Sequence, residues 1–263
     1  MSTRLAAPDR IAFRGGAGSA LVRRGVPDAP ALLFIHPANL QAACWTAVIG
    51  HLPAGWNSVA IDLSGHGGSA RASAYGVAGW AAECAELAAA LGLGRVHVVG
   101  ASAGAPVAVE LALAHPGLVA SLTTVGGAFE PLAESEIGGL AEQIRAGGGS
   151  SALGAVIAAE PGLDEAARRQ VMDDVSVNDA AQAIAIWRAA GPAEGLSSAH
   201  RLSCRTLAVV GELDAGCPPA GSAAFAAASG GRLAVLPGHG HLPMYSAPAE
   251  LAHLIREHLS EGK

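Results

Sequence analysis

A strand–turn–helix pattern around Ser102 constrains the fold more than any other feature of the chain. The β-branched run at residues 96–99 leads into Gly-Ala-Ser-Ala-Gly at residues 100–104, and an alanine-rich helical pattern follows. The spacing Gly-x-Ser-x-Gly is typical of a turn that lifts a serine hydroxyl above the edge of a sheet. We expect a side chain at position 100 or 104 to collide with the neighbouring strand or helix. The pattern therefore predicts a nucleophilic serine, provided that a base and an acid follow.

Apolar strand patterns alternate with helical patterns along most of the chain. Strands are predicted at residues 10–14, 20–24, 31–35, 57–63, 95–101, 119–125, 206–210 and 233–236. Between them, helical patterns are typical of a mostly parallel sheet with helices on both faces. From about 129 to 202 the alternation stops and several short helices are predicted. We therefore expect a core formed by residues 1–128 and 203–263, with a helical insertion at 129–202.

The base and acid candidates follow the last two predicted strands. His241 lies in a glycine-rich loop after the final strand, and Asp214 follows the strand before it. Because active sites of parallel sheets form at the carboxyl ends of strands, both side chains are expected near Ser102. Glu212 and Glu130 are alternative acids. The pair His239 and His241 is an alternative metal site, although no further ligand cluster accompanies it.

The chain resembles the α/β-hydrolase superfamily, in its group with a single helical lid after the sixth strand. The resemblance covers nearly the whole chain. It is carried by residues 33–37 (Leu-Phe-Ile-His-Pro), 62–69 (Asp-Leu-Ser-Gly-His-Gly-Gly-Ser), 100–104, and 238–244 paired with 211–214. It implies an α/β fold with a mostly parallel eight-stranded sheet, in which Ser102 is the nucleophile, His241 the base and Asp214 the orienting acid.

The resemblance also implies an activity, namely hydrolysis of a small or medium carboxylic ester or lactone through an acyl-enzyme. The same triad serves related hydrolases that cleave carbon–carbon bonds and cofactor-free haloperoxidases. Some relatives resemble receptors that bind a small ligand in this pocket. The expected partner is a small-molecule substrate, and the sequence does not decide among these activities.

Two backbone N–H groups are expected to hold the oxyanion, those of Ala103 and Ala38. Most relatives have His-Gly where this chain has His36-Pro37, and Pro37 fixes φ and reshapes the rim of the site. Asn39 is expected either to bind a substrate oxygen or to cap the next helix.

Apolar residues of the expected lid either line an acyl pocket or pack its helices together, and Trp187 is our candidate substrate contact. The others are Ile137, Leu140, Leu153, Ile157 and Ile184. His66 is expected to hold loops by hydrogen bonding, and Cys217 to pack.

Composition limits the other function classes. The 263 residues carry a net charge of −6 and a single lysine, Lys263, so a nucleic-acid surface is not expected. Residues 1–24 are interrupted by charges and do not resemble a signal peptide, and apolar runs stay short of a membrane span. We expect a cytoplasmic protein with free cysteines. The sequence contains no nucleotide-binding motif and implies no metal or other cofactor.

Overall fold

The computed structural model describes residues 8–193 and 195–260. Its centre is a sheet of eight strands in the order β1-β2-β4-β3-β5-β6-β7-β8. Strand β2 runs antiparallel to its neighbours β1 and β4, whereas the pairs from β4 to β8 are parallel. The strands are β1 (Asp9–Phe13), β2 (Gly18–Arg23), β3 (Ala31–Ile35), β4 (Asn57–Asp62), β5 (Val96–Ala101), β6 (Val119–Val125), β7 (Arg205–Gly211) and β8 (Arg232–Leu236). The predicted eight-stranded, mostly parallel sheet is confirmed.

Helices cover both faces of this sheet. The α-helices are α1 (Thr46–His51), α2 (Val77–Ala90), α3 (Gly104–Ala114), α4 (Glu134–Ala146), α5 (Ser151–Ile157), α6 (Glu165–Asp174), α7 (Ala180–Ala190), α8 (Pro219–Ser229), α9 (Pro243–Ser246) and α10 (Pro248–Ser260). Short 3₁₀ turns occupy Arg14–Gly16, Ala42–Trp45 and Ala199–Arg201. The 3₁₀ turn at Ala42–Trp45 leads directly into α1. Within the described residues, no helix is both long and apolar enough to cross a bilayer.

Strand β3 shows why the central strands are continuously apolar. Successive side chains of a strand point to opposite faces of its sheet. Leu33 and Ile35 join one buried cluster, with residues of α2, α3 and α8. Leu32 and Phe34 join the other cluster, with residues of α1 and α10. Each such side chain stabilises the fold by about 1.5–3 kcal/mol on burial, so β3 contributes to both cores.

Helices α4 to α7 lie between β6, which ends at Val125, and β7, which begins at Arg205, and we call this segment the helical insertion. It has a small apolar cluster of its own, formed by Ala141, Ile144, Leu153, Ala183 and Ile184. Ser176 joins it to the core, because its N–H donates to the Asn39 carbonyl (2.7 Å) and its hydroxyl to the Leu40 carbonyl (2.8 Å). The insertion is therefore hydrogen-bonded to the loop that follows β3.

Candidate active site

Ser102 sits in a strained turn between β5 and α3. Its φ of 51° is left-handed, which costs a non-glycine residue about 1–2 kcal/mol. A Cβ at Gly100 would lie 2.4 Å from the Gly104 carbonyl oxygen, and one at Gly104 would lie 2.7 Å from the Ile35 carbonyl oxygen. The expectation that neither glycine tolerates a side chain is confirmed. This crowding, together with the bond from Ser102 N–H to the Val125 carbonyl (2.9 Å), holds the serine in place.

The structure brings Ser102, His241 and Asp214 together in one hydrogen-bonded chain. The Ser102 hydroxyl lies 2.9 Å from His241 Nε2, and His241 Nδ1 lies 2.8 Å from Asp214 Oδ2. An ionised carboxylate only accepts hydrogen bonds, so Nδ1 carries the proton and donates a hydrogen bond to Asp214; in this tautomer Nε2 is the acceptor for the serine hydroxyl. Asp214 is only 4% exposed, and its other oxygen accepts the Cys217 N–H (2.7 Å). The arrangement is chemically able to activate a serine.

The alternative acids lie elsewhere. Glu212 accepts a hydrogen bond from the Gly238 N–H (2.9 Å), and Glu130 is exposed. Neither forms a hydrogen bond or an ion pair with His241 among the described residues. His239 Nδ1 contacts the Ser246 hydroxyl (2.9 Å), and no group of three or more His, Cys, Asp or Glu that could hold a metal occurs among residues 8–193 and 195–260.

Gly126 lies directly against the Asp214–His241 pair. Its φ is +50°, and a Cβ there would be 2.8 Å from Asp214 Oδ2 and 3.2 Å from His241 Nδ1. Real Cβ atoms rarely approach so closely. The end of β6 therefore forms one wall of the site, and this wall has no room for a methyl group.

The two expected oxyanion residues, Ala38 and Ala103, line one small cavity of about 10 Å³. Neither backbone N–H donates to an acceptor that the structure describes. His36 fixes the loop beside them, since its Nδ1 contacts the Pro37 carbonyl (2.8 Å) and its Nε2 accepts the Leu63 N–H (3.1 Å). These contacts hold the loop that contains Pro37 in place, and the N–H groups of Ala38 and Ala103 are free to donate to an anionic oxygen.

Asn39 adopts a left-handed conformation with φ of 63° and is fully buried. Neither polar atom of its side chain has a hydrogen-bond partner among the described residues. The 3₁₀ turn at Ala42–Trp45 has Gln41 as its N-cap, with no side-chain capping bond. The capping role considered for Asn39 is therefore wrong, because Gln41 occupies the N-cap position and the Asn39 side chain makes no hydrogen bond to this turn.

His66 packs beside His36, with 4.7 Å between ring centroids, and its Nδ1 contacts the Ser64 carbonyl at 3.3 Å. Burial, followed by the nearby His36, lowers the pKa of His66 to about 3. Asp62 steadies the same loop by accepting the N–H groups of Ala42 (2.7 Å) and Gly68 (3.0 Å). These contacts agree with the loop-holding role expected of His66.

Trp187 lies in α7, where its half-buried ring packs against the apolar cluster of the insertion. Its indole N–H is buried without a partner in the part of the chain that the structure describes. Leu153 and Ile184 belong to that cluster, and Leu140 and Ile157 pack against it. Ile137 is buried nearby and would contact a Cβ at Gly191. The α7 residues that line the cavity of Ala38 and Ala103 are instead Ile186 and Ala190.

Cys217, which was expected to pack, and Glu160, which the sequence did not indicate, both lie beside the site. The Cys217 N–H donates to Asp214 Oδ1 (2.7 Å), and burial, followed by Asp214, raises the pKa of the Cys217 thiol to about 12. Glu160 Oε2 accepts the backbone N–H of His241 (3.1 Å) across 81 positions of sequence. In the sequence, only its proximity to Asp214 connects Cys217 with the site, and no local motif indicates a role for Glu160.

The fold, with its eight-stranded sheet covered by helices on both faces, is that of the α/β hydrolases. Residues 32–254 match the model of the Alpha/beta hydrolase family, so the chain belongs to that family. No curated protein sequence matched the chain.

Solved structures similar to this chain include several enzymes. The enol-lactonase from Burkholderia xenovorans has a TM-score of 0.85 and 19% identity, over 96% of this chain and 100% of that one. A thermophilic esterase from Thermogutta terrifontis, with malate bound, has a TM-score of 0.81 and 23% identity, over 97% and 99%. Bromoperoxidase from Bacillus anthracis has a TM-score of 0.82 and 14% identity, over 97% and 100%. At these identities the likeness shows a shared fold.

Proposed function

We propose that the protein is a serine hydrolase that cleaves a carboxylic ester or lactone through an acyl-enzyme. The observation that carries the proposal is the continuous hydrogen-bonded chain from Ser102 through His241 to Asp214, with spacings of 2.9 and 2.8 Å. Membership of the hydrolase family and the esterase and lactonase among the structural neighbours support it.

In the proposed first half-reaction, Ser102 Oγ attacks the carbonyl carbon while His241 Nε2 takes the hydroxyl proton. Asp214 orients the imidazole and stabilises the imidazolium that forms. The N–H groups of Ala103 and Ala38 hold the tetrahedral oxygen, and the Ala103 N–H also lies at the N-terminus of α3, where negative charge is favoured. His241 then delivers its proton to the leaving alkoxide.

In the second half-reaction, water attacks the acyl group on Ser102 with His241 as the base. The proton returns to Ser102 Oγ when the acid departs, so the enzyme is regenerated without a cofactor. A lactone follows the same route, except that the alcohol and acid released remain one molecule.

We assign substrate contacts to Asn39 and Trp187. Each carries a buried polar group with no described partner, and such a group costs about 1–3 kcal/mol while unpaired. The helical insertion acts as the lid, since it contacts the loop after β3 through Ser176.

The decisive experiment compares the natural protein with Ser102→Ala on p-nitrophenyl acetate and butyrate. The proposal predicts loss of turnover in the variant, with an unchanged unfolding midpoint. Undiminished turnover in the variant would refute the assignment of Ser102.

A haloperoxidase activity on the same residues is a second candidate, favoured by the bromoperoxidase neighbour. A panel of simple esters, lactones and dienoate ketones, together with bromination of monochlorodimedone in the presence of acetate, hydrogen peroxide and bromide, separates these activities. The ester and lactone proposal predicts that an ester or lactone gives the highest kcat/KM.

A further inference from the structure

The helical insertion contacts the loop that carries His241. We call residues 237–242 the histidine loop. Within it, the Gly240 N–H donates to the Pro161 carbonyl (3.2 Å), and the His241 N–H donates to Glu160 Oε2 (3.1 Å). Two successive N–H groups of the histidine loop are therefore held by two successive residues of the insertion.

The fit between these two segments is close. A Cβ at Gly240 would lie 2.8 Å from Glu160 Oε2, and one at Gly162 would lie 3.1 Å from both the Gly238 carbonyl oxygen and His239 Nδ1. Gly162 itself has a left-handed φ of +82°, which favours glycine. Glu160 thus lies against the histidine loop, with its carboxylate oxygen on the main chain of His241.

The His241 main chain needs such a support. Asp214 fixes the ring at Nδ1, but the ring position also depends on a backbone that follows two glycines, Gly238 and Gly240. Glycine gives that backbone more conformational freedom than any other residue. A hydrogen bond to a charged acceptor is about twice as strong as a neutral one, so the Glu160 carboxylate restricts the loop where the ring is attached.

We propose that Glu160 is a positioning residue, whose carboxylate holds the His241 backbone so that Nε2 stays within reach of Ser102 Oγ. The inference rests on the proposed serine hydrolase function. In this proposal the insertion covers the active site and also supplies a residue that positions His241. Glu160 acts through His241 and does not touch the reacting atoms.

Three substitutions separate positioning from packing. Glu160→Gln keeps an oxygen acceptor, whereas Glu160→Met keeps the length of the side chain but removes the acceptor. Glu165→Ala, in the first turn of α6, is the control, because the ion pair that Glu165 forms with Arg169 is exposed to solvent. Kinetics on p-nitrophenyl acetate give kcat and KM separately, and the rate of Ser102 labelling by a fluorophosphonate reports the reactivity of the nucleophile.

We expect Glu160→Met to lower kcat and the labelling rate about 10- to 100-fold, with KM changed less than about twofold, since a displacement near 1 Å at a reacting group costs about 100-fold. Glu160→Gln should recover kcat to within about threefold of the natural protein, and Glu165→Ala should match it. The natural protein and each variant are also unfolded by urea, so that kinetics are compared only between folded proteins.

Equal kcat in Glu160→Met and Glu160→Gln would overturn the inference, and so would a rise in KM alone. If Glu160→Met does not fold, the inference stands or falls with Glu160→Gln, for which a kcat more than about tenfold below the natural value refutes it. Failure of the proposed function has a different signature, because Ser102→Ala would then retain turnover whatever residue occupies position 160.

Discussion

Replacing Gly126 by alanine should damage the candidate triad much more than the fold. The substitution forces a Cβ into a position with φ of +50°, 2.8 Å from Asp214 Oδ2 and 3.2 Å from His241 Nδ1. Ordinary contact begins at 3.4 Å, so the carboxylate oxygen must withdraw by about 0.6 Å. A misplacement of about 1 Å costs about 100-fold in rate, so we expect kcat to fall about 10- to 100-fold.

Gly92→Ala is the matched control for this experiment. Gly92 has a similar φ of +63°, but nothing lies within 4 Å of a Cβ built there. Both variants should lose about 1 kcal/mol of stability from left-handed strain, measured by urea unfolding. Only Gly126→Ala should lose kcat on p-nitrophenyl acetate. A Gly126→Ala enzyme whose kcat lies within about twofold of Gly92→Ala would refute the reasoning.

Three further predictions concern the site and its supports. Asp214→Asn should lower kcat by about 10²- to 10⁴-fold in steady-state assays with little change in KM, because an amide at that position favours the wrong His241 tautomer; a kcat close to the natural value would contradict this. His66 has its pKa lowered to about 3, so the unfolded chain binds the extra proton first as pH falls below 6.5. The contribution of His66 to the free energy of unfolding is therefore complete above pH 6.5 and is lost progressively as the pH falls towards about 3. In urea unfolding, the stability of His66→Gln should fall less steeply with acid than that of the natural protein, and parallel pH profiles would contradict this prediction. Gly100→Ala should lower the free energy of unfolding by about 3 kcal/mol, measured with urea, because its Cβ would lie 2.4 Å from the Gly104 carbonyl oxygen. Gly117→Ala, with open space around the Cβ, is the control, and equal losses would contradict the claim that the turn at Ser102 has no room for a side chain.

The elements built from local patterns were predictable. Strand β3 is marked by an apolar run because both faces of the sheet are covered, and the turn at Ser102 is marked because two glycines must stand where no side chain fits. Asp214 and His241 could be placed near Ser102 because each follows a parallel strand, and carboxyl ends meet at one edge. The expected lid boundaries at 129 and 202 stay a prediction.

What escaped prediction depends on contacts between distant segments. Glu160 meets His241 across 81 positions, and no periodicity or motif marks a carboxylate that bonds to a main-chain N–H. Asn39 was expected either to contact substrate or to cap a helix, and the orientation of a buried side chain in a left-handed residue cannot be derived from sequence spacing. Ile186, rather than Ile184, lines the cavity of Ala38 and Ala103, because the rotation of α7 is set by packing.

The most direct test of the central claim is mass spectrometry after labelling with a fluorophosphonate. The probe phosphonylates a serine only where a base removes the hydroxyl proton and fluoride departs. The account predicts one adduct, on the peptide containing Ser102, which is absent in Ser102→Ala and forms far more slowly in His241→Ala. A protein that turns over esters but carries its adduct on another residue, or carries none, would contradict the account.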